Sequence, residues 1–133
     1  MDLSHINYLA VVVSTALTFV IGFIWYGPLL GKSWMKEIGL TEEDAKKASM
    51  GKVFGTAFIL TFIMSWNLAA FIGPKADFAF GLFAGLAAGV GWVATSIGVV
   101  YLFSQKSLKL FFIDAGYQVV IYAMMGGILG IWK

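Results

Sequence analysis

Apolar residues run through this chain in long, nearly unbroken stretches, and polar residues gather in the short segments between them. A helix needs about 20 largely apolar residues to cross the hydrocarbon core of a bilayer. Four runs reach that length: residues 5–30, ending in "WYGPLL"; residues 53–72, closed by "GPK"; residues 78–103; and residues 108–132. None alternates with the period of two that a half-buried strand shows, so each is predicted to be a helix. The expected fold class is all-α. It is a polytopic integral membrane protein of one domain, residues 1–133, built as a bundle of four transmembrane helices.

The first connection carries a helical pattern of its own. "LGKSWMKEIG" places Leu30, Trp34 and Ile38 at i, i+4 and i+8, with Lys32 and Lys36 on other faces. That is the pattern of a short helix lying in the headgroup plane. Gly39 can end it in the left-handed conformation. Thr41 then caps a new helix with Asp44 at its third position. Glu42 with Lys46 and Glu43 with Lys47 are i,i+4 pairs in the favourable order.

Composition agrees with the pattern and removes several function classes. The 133 residues are 60% hydrophobic and 12% charged, with a mean hydropathy of +0.88. A soluble domain is roughly 45–50% apolar and about 25% charged. Too few charges are present to cover a water-facing surface, so the lipid bilayer is the expected partner. The net charge is +2 and every basic residue is a lysine. With no bidentate guanidinium and so little charge, no nucleic-acid partner is expected. There is no cysteine and a single histidine, His5. Thiol chemistry, disulfides and clustered metal ligands are therefore absent from the expectation, and neither a cofactor nor a metal is predicted. No nucleophile–base pair, paired carboxylate or phosphate loop is found, so the chain is not expected to be an enzyme.

The lysines also orient the spans. Lys32, Lys36, Lys46, Lys47 and Lys52 fall in the first loop and Lys106 and Lys109 in the third, against only Lys75 and Lys133 elsewhere. The positive-inside rule then puts the first and third loops in the cytoplasm and both termini on the periplasmic or outer side. The expected location is the cell membrane, the inner membrane of a bacterium. The N-terminus lacks the basic segment of a signal peptide, so the first run is read as a retained span. Trp25, Tyr26, Lys32 and Trp34 are expected at the interface.

Within the spans, small and polar residues form faces. Gly81, Gly85 and Gly89 recur every four residues, a spacing that lets helix backbones approach closely in lipid. On the fourth span Ala115, Gly116, Val119, Ala123, Gly126 and Gly127 share one side. The two faces can meet each other or a second subunit, and a homo-oligomer is expected; another membrane protein is a further partner class. Asn7, Ser14 and Thr18 share a face of the first span, suited to interhelical hydrogen bonds or to an aqueous path. On the fourth span Asp114, Tyr117, Gln118 and Tyr122 lie within about 140° of arc.

Asp114 is the residue that needs explaining. It lies about 9 Å along the axis from Leu108, inside one leaflet, where a carboxylate costs roughly 2–3 kcal/mol on insertion scales. Desolvation disfavours its charge, which favours a protonated, hydrogen-bonding Asp. One reading makes it a clasp between helices, with Thr95, Ser96, Tyr101, Thr56 or a lysine as partner. The protein is then non-enzymatic, with a structural, accessory or lipid-binding role. The other makes it a site for a proton, cation or small solute in a small channel or carrier.

"NYLAVVVSTALTFVIGFIWYGPLLGKSWMKEIGLTEED", "SLKLFFIDAGYQVV" and the late "GGILGIW" together resemble the domain-of-unknown-function 1761 family of small bacterial integral membrane proteins. The most specific pieces are Trp25-Tyr26-Gly27-Pro28-Leu29, Gly31-Lys32, Trp34, and Asp114-Ala115-Gly116-Tyr117. The resemblance implies four membrane helices and implies no reaction. In that family the position of Asp114 can carry Asn, which implies a hydrogen-bonding role rather than an obligatory proton carrier.

Overall fold

The computed structural model describes residues 3–47 and 50–132. Lys133 and the side chains of Glu42 and Lys47, to which the charge patterns above refer, lie outside the described residues. Among the described residues the chain is helical, with no strand, and four helices are long and apolar enough to cross a membrane: Tyr8–Leu29, Gly51–Ile72, Phe78–Phe103 and Leu108–Ile131.

The first, third and fourth spans each start at a polar residue that satisfies a free backbone N–H. Helix α1 (Tyr8–Ile24) is capped by Asn7, whose side chain accepts from the Ala10 N–H at 3.2 Å. Asn7 thus caps the helix that carries Ser14 and Thr18. The first span is also shorter than the expected 5–30, because His5 and Ile6 precede the cap. Its far end widens into a π-helical turn, Trp25–Leu29, where Gly27 leaves the helical region at φ −106° and ψ −105°. Pro28 in this turn has no N–H to donate, and the Leu30 N–H reaches back to the Trp25 carbonyl at 2.9 Å.

Helix α2 (Gly31–Ile38) follows at once and ends at Gly39, which takes φ 72°. A side chain there is strained, so Gly39→Val is expected to cost about 1–2 kcal/mol. Faster amide exchange over residues 31–38 would show it; unchanged exchange would count against the cap. Thr41 and Asp44 then form the reciprocal cap of α3 (Glu42–Lys47), at 3.1 and 3.4 Å.

Helix α4 (Met50–Ile72) is the second span. The third span is not one regular helix. It consists of α5 (Phe78–Ala88), capped by Asp77, a π-helical segment Gly89–Ala94, and α6 (Thr95–Phe103). A π turn takes up more residues than an α turn and shifts the phase of everything after it. Thr95 and Ser96 donate to carbonyls of this segment, Gly91 and Trp92, so their hydroxyls are satisfied within their own span. The fourth span is α7 (Leu108–Ile131), capped by Ser107.

Helix α7 is the centre of the bundle and touches α1, α2, α4, α5 and α6. Against α5 the two backbones are in direct contact. A Cβ on Gly81 would lie 2.9 Å from the Gly130 Cα and still closer to the Gly126 carbonyl oxygen; a Cβ on Gly85 would meet the Tyr122 backbone. Gly89 continues the row, with a Cβ there 3.1 Å from the Val119 Cα. The glycine row of the third span is therefore used within one chain. The small face of α7 serves more than one neighbour: Gly116 accommodates Trp25 and Gly127 accommodates Phe78.

At the end opposite the lysine-rich loops, Ile6, Ala10, Val11, Leu68, Met125 and Leu129 form a buried cluster. There Ser65 of α4 donates to the Val11 carbonyl at 3.4 Å. The other half of α4 is exposed apart from its contact with α1. That contact is aromatic, with Phe54 and Phe58 about 6 Å from Phe19, at ring separations of 6.1 and 6.0 Å.

Candidate functional site

The polar residues at the lysine-rich end converge on one turn of α7. Asp114 is half-buried there, and each of its carboxylate oxygens accepts a tyrosine hydroxyl. Tyr26, from the turn that ends the first span, donates to Oδ1 at 2.6 Å. Tyr101, from α6, donates to Oδ2. Both carboxyl oxygens are thus engaged by hydroxyl donors from two other spans.

Adjacent residues reinforce the same junction. Trp25 Nε1 donates to the Ile113 carbonyl at 2.9 Å. Tyr117 donates through its hydroxyl to the Thr18 carbonyl at 2.8 Å, which joins α7 to α1. The Tyr26 ring stands edge-on to Tyr117 and to Trp34, with centroids 5.2 Å apart in both pairs. Through Trp34, the short helix α2 is coupled to the Asp114 cluster.

The wide turn explains how neighbours in sequence act together. In an unbroken α-helix the side chains of Trp25 and Tyr26 would diverge by about 100°. The π turn and the non-helical Gly27 re-aim this segment, and both side chains reach α7. A buried tyrosine or indole is stable in an apolar setting when its polar end has a partner. Here Trp25, Tyr26, Tyr101 and Tyr117 each have one.

The other candidate residues separate. Gln118 and Tyr122 are half-buried and do not join the Asp114 network; Tyr122 lines a shallow hollow with Asn67 and Trp92, between α4 and the third span. Ser14 and Thr18 are buried inside the bundle at 0% and 2% exposure, so they line no open path. The Thr18 hydroxyl donates to the Thr15 carbonyl at 2.7 Å, within its own helix. Lys32 is exposed. Of the four polar residues of α7, Asp114 and Tyr117 thus meet at the Tyr26 junction and Tyr122 faces a different neighbour.

Trp25 and Tyr26 exceed the interfacial role that their position suggested. The available signal was depth: both carry a donor at the end of the first span, near the level of Asp114. Tyr101 was one of several partners that the sequence left open. Among the described residues, no group of three acidic, histidine or cysteine side chains is placed to hold a metal ion.

No curated protein and no solved structure matches the chain. A family does match, across all four spans and both halves of the Asp114 junction, from residue 9 to residue 130. The chain belongs to that family, described as protein of unknown function (DUF1761).

Proposed function

We propose that this is a non-enzymatic membrane protein with a structural or accessory role, in which Asp114 clasps the helices and carries no transported ion. The observation behind this reading is that both carboxylate oxygens accept hydroxyls from two other spans. A cation binding at Asp114 would compete with those donors for the carboxylate oxygens. In the bilayer, polar contacts between helices hold a bundle together where the hydrophobic effect gives little drive.

The clasp also has an outward consequence. Tyr26 and Trp34 tie it to α2, whose Lys32 and Lys36 are exposed. By the lysine rule this end faces the cytoplasm. A rigidly held, lysine-bearing amphipathic helix suits contact with anionic headgroups or with another membrane protein.

Reconstitution into proteoliposomes tests the reading. Proton and potassium flux under an imposed potential is expected to match protein-free liposomes, for both the wild type and Asp114→Asn. A flux above that background, lost in Asp114→Asn, would replace the clasp with a small channel or carrier.

A further inference from the structure

Beside the clasp, α6, α7 and the turn between them line an open hollow of about 370 Å³. Its wall is formed by Gly98, Tyr101, Leu102, Leu108 and Phe111, with Lys106 at its rim. Gly98 makes room for the floor: a Cβ there would stand 3.2 Å from the Phe111 ring. Leu102 and Leu108 are 75% and 70% exposed, so the hollow has apolar sides and no protein cover.

The turn above it is fixed by its backbone. Gln105 takes φ 58°, and the Lys106 N–H donates to the Tyr101 carbonyl at 2.9 Å. Lys106, exposed in this turn, is one of the residues that line the hollow. Ser107 caps α7; its side chain accepts from the Leu110 N–H at 3.0 Å and its carbonyl from the Phe111 N–H at 3.1 Å. The N–H groups of Leu108 and Lys109 precede the first intrahelical bond, at the positive end of the helix dipole. No acidic residue lines the hollow. The closest carboxylate on α7, Asp114, is the acceptor of Tyr101.

We propose that this hollow binds an anionic phospholipid. One acyl chain lies against Leu102, Leu108 and Phe111, and the phosphate accepts from Lys106 and from the first N–H groups of α7. Charge complementarity selects the headgroup. Lys106 and the helix terminus attract a net negative charge and would repel the extra cation of a choline headgroup. The hollow also sits where such a lipid is found, at the boundary between a span and its polar loop. Occupancy covers the outer side of Tyr101 and so steadies one donor of the clasp. The inference rests on the membrane assignment and not on the role given to Asp114.

The test uses the purified full chain, titrated with phosphatidylglycerol or with phosphatidylcholine of identical acyl chains. Native mass spectrometry and thermal unfolding are the readouts. Phosphatidylglycerol is expected to bind more tightly and to raise the melting temperature further. Lys106→Gln is expected to weaken that binding about fivefold, in line with one lysine near a lipid surface. Lys36→Gln, away from the hollow, is expected to keep the wild-type preference. Leu102→Trp, which fills the hollow and keeps Lys106, is expected to lose the retained lipid. Glycerol phosphate or inorganic phosphate at the same concentration is expected to give no shift. Equal response to the two lipids, an unchanged preference in Lys106→Gln, or an equal shift with free phosphate would each overturn the proposal.

Discussion

Gly126→Val is expected to unfold the protein in mild detergent or to lower its unfolding free energy by about 3 kcal/mol or more, the upper end for overfilling a close contact. The site has no slack. A Cβ on Gly126 would lie 3.0 Å from the Gly85 Cα and nearer still to the Gly81 carbonyl oxygen. What it meets is backbone, which cannot move aside as a side-chain tip can. The helices must separate, and every close contact along the glycine row weakens with them. In lipid or detergent little hydrophobic drive remains to restore the pair, because the surrounding tails are as apolar as the helix faces. Gly55→Ala is the matched control. A Cβ there meets nothing within 4 Å, so the change is expected to be neutral or, through helix propensity, stabilising by up to about 1 kcal/mol. Thermal or SDS-induced unfolding followed by circular dichroism would separate the two. Wild-type behaviour of Gly126→Val would mean that α5 and α7 do not touch through their backbones.

The next largest effect is expected at Asp114. Asp114→Leu removes both acceptors at once and leaves the hydroxyls of Tyr26 and Tyr101 without partners in a half-buried setting. Lost interhelical hydrogen bonds in membrane proteins average about 0.6 kcal/mol, with a maximum near 1.7. An abandoned donor adds its own desolvation cost. Together these give a loss of about 2 kcal/mol. Asp114→Asn keeps a carbonyl oxygen for one tyrosine, and its amide can donate to the other hydroxyl oxygen. It is expected to cost less than about 1 kcal/mol. The order of stability in detergent, wild type then Asn then Leu, is the diagnostic result. An Asp114→Leu variant as stable as the wild type would remove the clasp from the account. The experiment is independent of flux, so it also tests Asp114 in a protein that transports nothing.

Parts of this architecture were legible residue by residue. Thr41 and Asp44 show a capping box in the sequence, and the two hydrogen bonds form. Gly39 was expected to be left-handed and takes φ 72°. The Gly81, Gly85 and Gly89 spacing predicted a close-contact face, and that face meets α7. These features depend on a few neighbouring residues or on a single helix period. Tyr26 is the opposite case. It reads as an interfacial aromatic, and its hydroxyl partner lies 88 residues away in the chain.

The third span shows why such pairings resist prediction. A regular helix from Phe78 to Phe103 carries the phase of Gly81 unchanged to Tyr101. The π segment at Gly89–Ala94 breaks that phase, and the wide turn at Trp25–Leu29 does the same for Tyr26. Both residues that hold Asp114 therefore lie in or beyond an irregularity that hydropathy does not register. Hydropathy, length and capping residues determine the solvent, the number of helices and most of their ends, because each acts over one span or one turn. Only the tertiary structure decides that α7 is the centre, that α5 meets it backbone to backbone, and that Tyr26 and Tyr101 share its carboxylate. Those outcomes depend on the relative rotation of helices distant in sequence, which no local pattern encodes.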